Sequence, residues 1–187
     1  MNFLIKKIII KIFKITRVLA YSYISDQKLK CKKLQPVLVK GDGVININSS
    51  VTFGVERSNH FFTSYAYIDS RGKSSSISID KNCVFNNSAT IISDHEKITI
   101  GENCIFGSNL EIINSDFHKL YNSNAIKRKK IIIGNNVFIG NNVKILKGSI
   151  IEDNVTIANG SIVCSHIRMG VTAAGIPAKE IKQNENA

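Results

Sequence analysis

The sequence predicts a mainly β protein, a parallel β-helix whose coils are assembled from six-residue units. Three observations carry that expectation. From Ile133 to Ile162 the chain reads IGNNVF, IGNNVK, ILKGSI, IEDNVT, IANGSI without a break. An aliphatic residue recurs at the first position (Ile133, Ile139, Ile145, Ile151, Ile157), and a small or β-branched one at the fifth (Val137, Val143, Ser149, Val155, Ser161). The same phase runs backwards through Ile100, Phe106 and Ile112, and again through Ile79, Phe85 and Ile91. Fixed-period self-similarity marks a stack in which each unit buries its apolar residue only against its neighbours. A helix would space apolar residues at i, i+3, i+4 and i+7, and an ordinary strand would alternate every second residue and then stop. A sandwich of short strands with Asn-rich loops would turn every 8–12 residues, out of step with five consecutive hexads.

Three hexads make one triangular coil. ISIDKNCVFNNSATIISDHEKI and ITIGENCIFGSNLEIINSDFHKL read as two copies of one element, and VININSSVTFG from Val44 to Gly54 as a degenerate earlier coil. The phase is least clear from Glu56 to Ser76. Gly101, Gly107, Gly134 and Gly140 follow an inward apolar residue, where the backbone is expected to turn a corner that suits Gly or Asn. Two segments fall outside the repeat, so the expected organisation is a helical segment over residues 1–36 and a β-helix over 37–187. The latter carries a loop at 118–130 and a carboxyl-terminal helix or tail as a cap.

The opening segment, MNFLIKKIIIKIFKITRVLAY, plots as an amphipathic helix. Leu4, Ile8, Ile12, Ile15 and Leu19 share a face, with Lys6, Lys7, Lys11 and Lys14 opposite and Phe3 and Ile10 intruding among them. Lysines interrupt every apolar run well short of the ~20 residues a bilayer demands. Neither the lysine-broken apolar run nor the absence of a small-residue cleavage site suits a secretory signal. Two roles remain open: lying on an anionic cytoplasmic membrane surface, or capping the first coil, whose unpaired edge would otherwise invite aggregation.

The formal charge of +11 is unevenly placed. Residues 1–33 hold nine Lys/Arg against Asp26 alone, and the stretch from Lys119 to Lys130 holds five with no acid. No nucleic-acid-binding motif accompanies this charge, so nucleic acid is not an expected partner. The four cysteines form no CxxC pair, and Cys83 and Cys104 fall at the small fifth position, as buried thiols. Neither a disulfide framework nor a zinc ribbon is indicated, and a reducing, cytoplasmic location is expected, with peripheral contact at the inner membrane face if the helix binds lipid.

The phase breaks once in a way that suggests chemistry, where NSDFHKLYNSNAIKRKK projects from one coil between Asn114 and Lys130. The hexads, the SDFH ending at His118, IIIGNNVFIGNNV and the closing AGIPAKEI resemble the hexapeptide-repeat acyltransferases, which have a left-handed parallel β-helix. Among them the resemblance is to the sugar and polysaccharide O-acetyltransferases, and it covers about Ile77 to Ile181. It implies a homotrimer with active sites between neighbouring β-helices, acetyl-coenzyme A as co-substrate, and no metal.

It further implies His118 as the general base, with Asp116 or a backbone carbonyl fixing the ring tautomer, and a sugar hydroxyl of a cell-surface glycan such as capsule or lipopolysaccharide as acceptor. Asn114 and His95, the latter at the equivalent place one coil earlier, are expected to line the acceptor cleft. Gly140, Asn141, Ala158, Asn159 and Lys179 match the family's coenzyme A corners. Phe138 stands where many relatives have Trp, and IANG replaces IGAG. Other readings of the residues stay open: N-acetylation of an amino sugar, a non-catalytic scaffold, or zinc chemistry like that of the γ-class carbonic anhydrases. The last requires a close histidine pair, whereas His95 and His118 stand 23 positions apart.

Overall fold

The structure, a computed structural model, describes residues 3–119, 121 and 123–184. Leu120 and Asn122 of the expected 118–130 loop lie outside the described residues, as do Met1, Asn2 and residues 185–187 of the two expected terminal segments.

Three parallel sheets form the faces of a left-handed β-helix. The first face stacks Lys32–Lys33, Thr52–Phe53, Val84–Phe85, Ile105–Phe106, Phe138–Ile139, Thr156–Ile157 and Val171–Gly175, closed by the antiparallel Ala178–Gln183. The second stacks Val37–Lys40, Ala66–Arg71, Thr90–Asp94, Glu111–Ile113, Lys144–Leu146 and Ile162–Val163. The third stacks Val44–Ile47, Ser76–Ile79, Lys97–Ile100, Ile131–Ile133, Ile150–Ile151 and His166–Ile167. The chain visits the faces in that order, turning a first corner from face one to face two, a second from two to three and a third from three to one. The first strand precedes residue 37, and the carboxyl-terminal tail forms the return arm of a hairpin.

The expected register is the one built. Ile133 pairs with Ile100 below and Ile151 above, Ile139 with Phe106 and Ile157, and Ile145 with Ile112 and Val163. Each inward hexad residue is buried, as are Cys83 and Cys104. Because in-register coils place like residues on top of one another, three phenylalanines stack along the inside of face one. The ring centroids are 4.8 Å apart for Phe53 and Phe85 and 4.3 Å for Phe85 and Phe106. Stacked aromatic rings of this kind add to the burial by which the aliphatic positions hold a coil to its neighbours.

The corner glycines act differently from the sequence-based expectation. The left-handed conformation falls two residues later, on Asn103, Asn109, Asn136 and Asn142, with φ of 55 to 59°. Asn tolerates that region, and its side chain gains from it here. Asn82, Asn103, Asn136 and Asn154 form a hydrogen-bonded ladder up the third corner, with N···O distances of 3.1–3.3 Å. Gly101, Gly107, Gly134 and Gly140 serve close approach, because a Cβ there would collide with the Asn or Asp side chain of the next coil.

A second insertion, from Gly54 to Tyr65, occupies the stretch where the phase was unclear. It leaves the first corner and is clamped by buried Asn87, whose amide nitrogen donates to the carbonyls of Val55, Ser58 and Asn59 at 2.8–3.3 Å. Helix α1 (Phe3–Tyr23) lies against this insertion and the Val37–Lys40 strand. It leaves Leu4, Ile8, Ile12, Ile15 and Leu19 exposed, so the aliphatic face does not cap the first coil. Leu29 and Cys31 pack against the core there instead.

Candidate active site

The second corner gathers several of the buried polar side chains, among them Ser75, Ser93, Asp94, Asn114, Ser115 and Ser149. Four coils contribute: Arg71 and Gly72, then Asp94 and His95, then the long loop from Asn114 to Lys130, then Lys147. That loop leaves and returns as a narrow hairpin, with Asp116 N donating to Lys127 O (3.1 Å) and Lys129 N to Asn114 O (3.1 Å). Ser115 and Arg128 form an isolated antiparallel bridge between its arms.

His118 stands at the loop's departure. Phe117, at φ 58°, turns the backbone sharply, and His118 N donates to Asp116 O at 2.7 Å. The turn leaves His118 exposed, and among the described residues its imidazole makes no hydrogen bond. The Asp116 carboxylate pairs with Lys147 through Oδ1, while Oδ2 is buried without a partner among the described residues. Asn114 is fully buried and structural in its contacts: Oδ1 accepts from Asp94 N (2.7 Å) and Nδ2 donates to Ser93 Oγ (2.8 Å). It ties the corner of one coil to the next.

One coil earlier the geometry is more ordered. His95 Nδ1 lies 2.7 Å from Asp94 Oδ1, and Asp94 Oδ2 accepts from Ser115 Oγ at 2.7 Å and Arg128 Nε at 2.8 Å. Burial by itself would raise the pKa of Asp94. The hydrogen bonds from His95, Ser115 and Arg128 and the Arg128 charge outweigh it and hold the carboxyl at about 2. The aspartate is therefore ionised and favours the tautomer with hydrogen on Nδ1, leaving Nε2 as acceptor. The His95 ring also packs over Gly72, whose φ of +83° and missing Cβ are both required, because a Cβ would strike the imidazole. Beside it, Asp69 accepts from Tyr67 OH (2.9 Å) and Arg71 Nε (2.6 Å), and the Arg71 guanidinium sits 4.7 Å from the Phe117 ring centroid.

Of the residues singled out in the sequence, the structure brings His95, Asn114, Asp116 and His118 to this second corner. Gly140, Asn141, Ala158 and Asn159 lie together elsewhere, on the first corner. Asn159 Oδ1 accepts from Asn141 N at 2.7 Å, and Asn141 Oδ1 accepts from Ser108 N at 2.8 Å. Ala158 N donates to Ala173 O (2.9 Å) and Gly175 N to Ser161 Oγ (3.2 Å), which seats the hairpin bearing Lys179 at that end. The Oδ1 atoms of Asn141 and Asn159 and the backbone N–H groups of Gly140, Asn141 and Ala158 are engaged within the stack. This corner therefore offers a ligand the Nδ2 groups of exposed Asn141 and Asn159, which make no hydrogen bond among the described residues, with Lys179 exposed and outside any ion pair among the described residues. The two groups stand on opposite edges of face two, across strands of two to six residues and the corner residues that flank them. At ~3.3 Å per residue that is a separation of roughly 10 Å or more.

Sequence reasoning missed Asp94, Ser115, Arg128, Arg71 and Lys147. The repeated Ser-Asp ahead of His95 and His118, SDH and SDFH, was a readable signal for Asp94. Arg128 carried none, because only the return of the loop brings it to Asp94.

The comparisons with known proteins agree with this architecture. The model described as bacterial transferase hexapeptide (six repeats) matches residues 130–165, and that of the hexapeptide repeat of succinyl-transferase matches 97–112. Galactoside O-acetyltransferase of Escherichia coli (strain K12) is 39% identical over 66 residues, which are 35% of this chain and 32% of that protein. The match thus spans about a third of that curated relative. The solved structure of the polysialic acid O-acetyltransferase OatWY superposes with a TM-score of 0.66 at 28% identity, covering 81% of this chain and 69% of the other. The polySia-specific acetyltransferase NeuO, at 23% identity, TM-score 0.57 and coverage of 82% and 72%, shares the fold. Repeats, register and superposition all lead to one statement: this chain carries the hexapeptide repeat over residues 97–112 and 130–165 and winds a left-handed parallel β-helix.

Proposed function

We propose that this protein is an acyltransferase that moves the acetyl group of acetyl-coenzyme A to a sugar hydroxyl of a cell-surface glycan, with His118 as general base. The observation that carries the reading is the placement of His118. An imidazole that makes no hydrogen bond among the described residues stands on a sharp turn at the mouth of the long loop, in a chain 28% identical to a polysialic acid O-acetyltransferase over 81% of its length. Neutral imidazole nitrogen accepts the proton of the acceptor hydroxyl while that oxygen attacks the thioester carbonyl carbon. Collapse of the tetrahedral adduct breaks the carbon–sulfur bond, and the imidazolium returns its proton to the departing thiolate. No covalent enzyme intermediate is required. In this reading Lys179 meets a phosphate, and Gly140, Ala158 and the side-chain amides of Asn141 and Asn159 flank the pantetheine arm.

The separation of the two corners supports a shared site. Base and cofactor groups on opposite edges of face two come together when the second corner of one copy meets the first corner of another, as a closed homotrimer allows.

A second reading has its own observation. Asp94 orients His95 in the acid–imidazole arrangement that activates a base, whereas no hydrogen bond joins Asp116 to the His118 ring. One experiment separates the two: acetyl transfer from acetyl-coenzyme A to sialic-acid, galactoside and other glycan acceptors by His118→Ala and His95→Ala. Loss of ~10²–10⁴-fold in kcat at His118, with a smaller loss at His95, supports the proposal. The reverse order moves the base down one coil, and no transfer by the unmodified protein to any acceptor refutes both.

A further inference from the structure

Helix α1 is mounted with its apolar side outward. Ile10, Lys14, Arg17, Val18 and Tyr21 form its half-buried face. Arg17 donates to the carbonyls of Phe61 (3.2 Å) and Ser64 (2.7 Å), Lys14 approaches Glu56 at 3.5 Å, and Tyr21 packs on Tyr65 with centroids 4.9 Å apart. Two of the helix's five cations are thus consumed in docking it to the body. On the far side Leu4, Ile8, Ile12, Ile15 and Leu19 are 46–62% exposed, and every residue from Phe3 to Ile9 is exposed. A contiguous aliphatic stripe of this kind on a folded chain marks a surface that something else covers.

Charge decides the occupant. The helix contains Lys6, Lys7, Lys11, Lys14 and Arg17 and no Asp or Glu. A second copy of the helix would bring cations against cations, with no carboxylate to pair them. Among the described residues Lys6, Lys7 and Lys11 join no ion pair and all three are exposed, and Lys28, Lys30 and Lys32 follow on the next segment. Of the acids nearby, Glu56 faces Lys14 and Asp26 is held by Lys40 at 2.9 Å. Among the described residues no helix is long and apolar enough to cross a membrane. We infer that this face docks on the surface of an anionic lipid bilayer, with the helix in the headgroup plane, its aliphatic stripe in the acyl boundary and Lys6, Lys7 and Lys11 at the phosphates.

The test is co-sedimentation of the full chain with vesicles of phosphatidylcholine alone and of phosphatidylcholine containing one quarter phosphatidylglycerol. Binding is expected to the anionic vesicles, to weaken with added salt, and to be slight on the neutral ones. Lys6→Glu/Lys7→Glu/Lys11→Glu should lower the partition by about 100-fold or more, at roughly 5-fold per basic residue removed. Ile8→Asp/Ile12→Asp should abolish it while the melting temperature holds, because those side chains point away from the body. Equal binding to both vesicles, no binding, or binding indifferent to Ile8→Asp/Ile12→Asp would overturn the inference. An oligomer that dissociates in Ile8→Asp/Ile12→Asp, without lipid, would assign the face to a second copy instead.

Discussion

Asp94 concentrates the electrostatics of the second corner. Its folded pKa of about 2 lies below the ordinary 3.8. The carboxylate therefore contributes stability that is complete above pH ~4 and is lost as the pH falls through ~2. The difference is on the order of 2 kcal/mol, since one pKa unit is ~1.4 kcal/mol. Urea unfolding at pH 5 and near pH 2.5 should show this loss in the unmodified protein, while Asp94→Asn, already weaker at pH 5, loses less between the two. Equal acid sensitivity of both proteins would show that the Ser115, Arg128 and His95 contacts do not stabilise the ionised form. The same variant also releases His95, so an accompanying fall in kcat, rather than in KM, would favour that residue as base.

At the scale of the hexad, the structure separates two demands that the sequence merges. The inward position demands volume. Phe85→Ala, at the centre of the phenylalanine stack, should cost ~3–5 kcal/mol, and Ile139→Ala ~2–5 kcal/mol, because coils pinned above and below cannot collapse into the cavity. The outward corner demands a conformation. Asn136→Ala should cost ~1–3 kcal/mol, from the left-handed backbone and two lost ladder bonds, while Asn136→Gly keeps the conformation and should cost less. Equal losses for the Ala and Gly variants in equilibrium unfolding would mean that the ladder, not φ, governs the corner. The periodicity made the inward residues legible, because burial against a like neighbour is all they require. It left the roles of Gly and Asn interchanged, because a corner's φ depends on where the coil bends.

For the whole molecule, the decisive matter is whether one cleft draws on two chains. Light scattering should give about three times the 20.7 kDa chain mass. His118→Ala and Lys179→Glu, each inactive alone, should regain transfer when unfolded and refolded together. Random mixing restores both corners in about one quarter of the clefts of a closed ring. No recovery from a mixture shown to exchange subunits, or an active monomer, would place the whole site within one chain.

The six-residue period by itself determined the fold, the inward residues from Ile79 to Ser161 and the number of hexads per coil, because in a stacked solenoid each unit answers only to the units directly above and below it. It also marked the loop that carries His118 as a departure from the stack. Only the tertiary structure decided which faces meet what. It seated α1 by Lys14, Arg17 and Tyr21 on the Gly54–Tyr65 insertion and left the aliphatic side exposed. It carried Arg128 and Ser115 to Asp94, and it set His95 and His118 and the residues proposed for the cofactor on opposite edges of face two. Those contacts join residues up to 47 positions apart, as between Arg17 and Ser64. They arise from loop closure and the angle of each corner, and a local repeat carries no record of either.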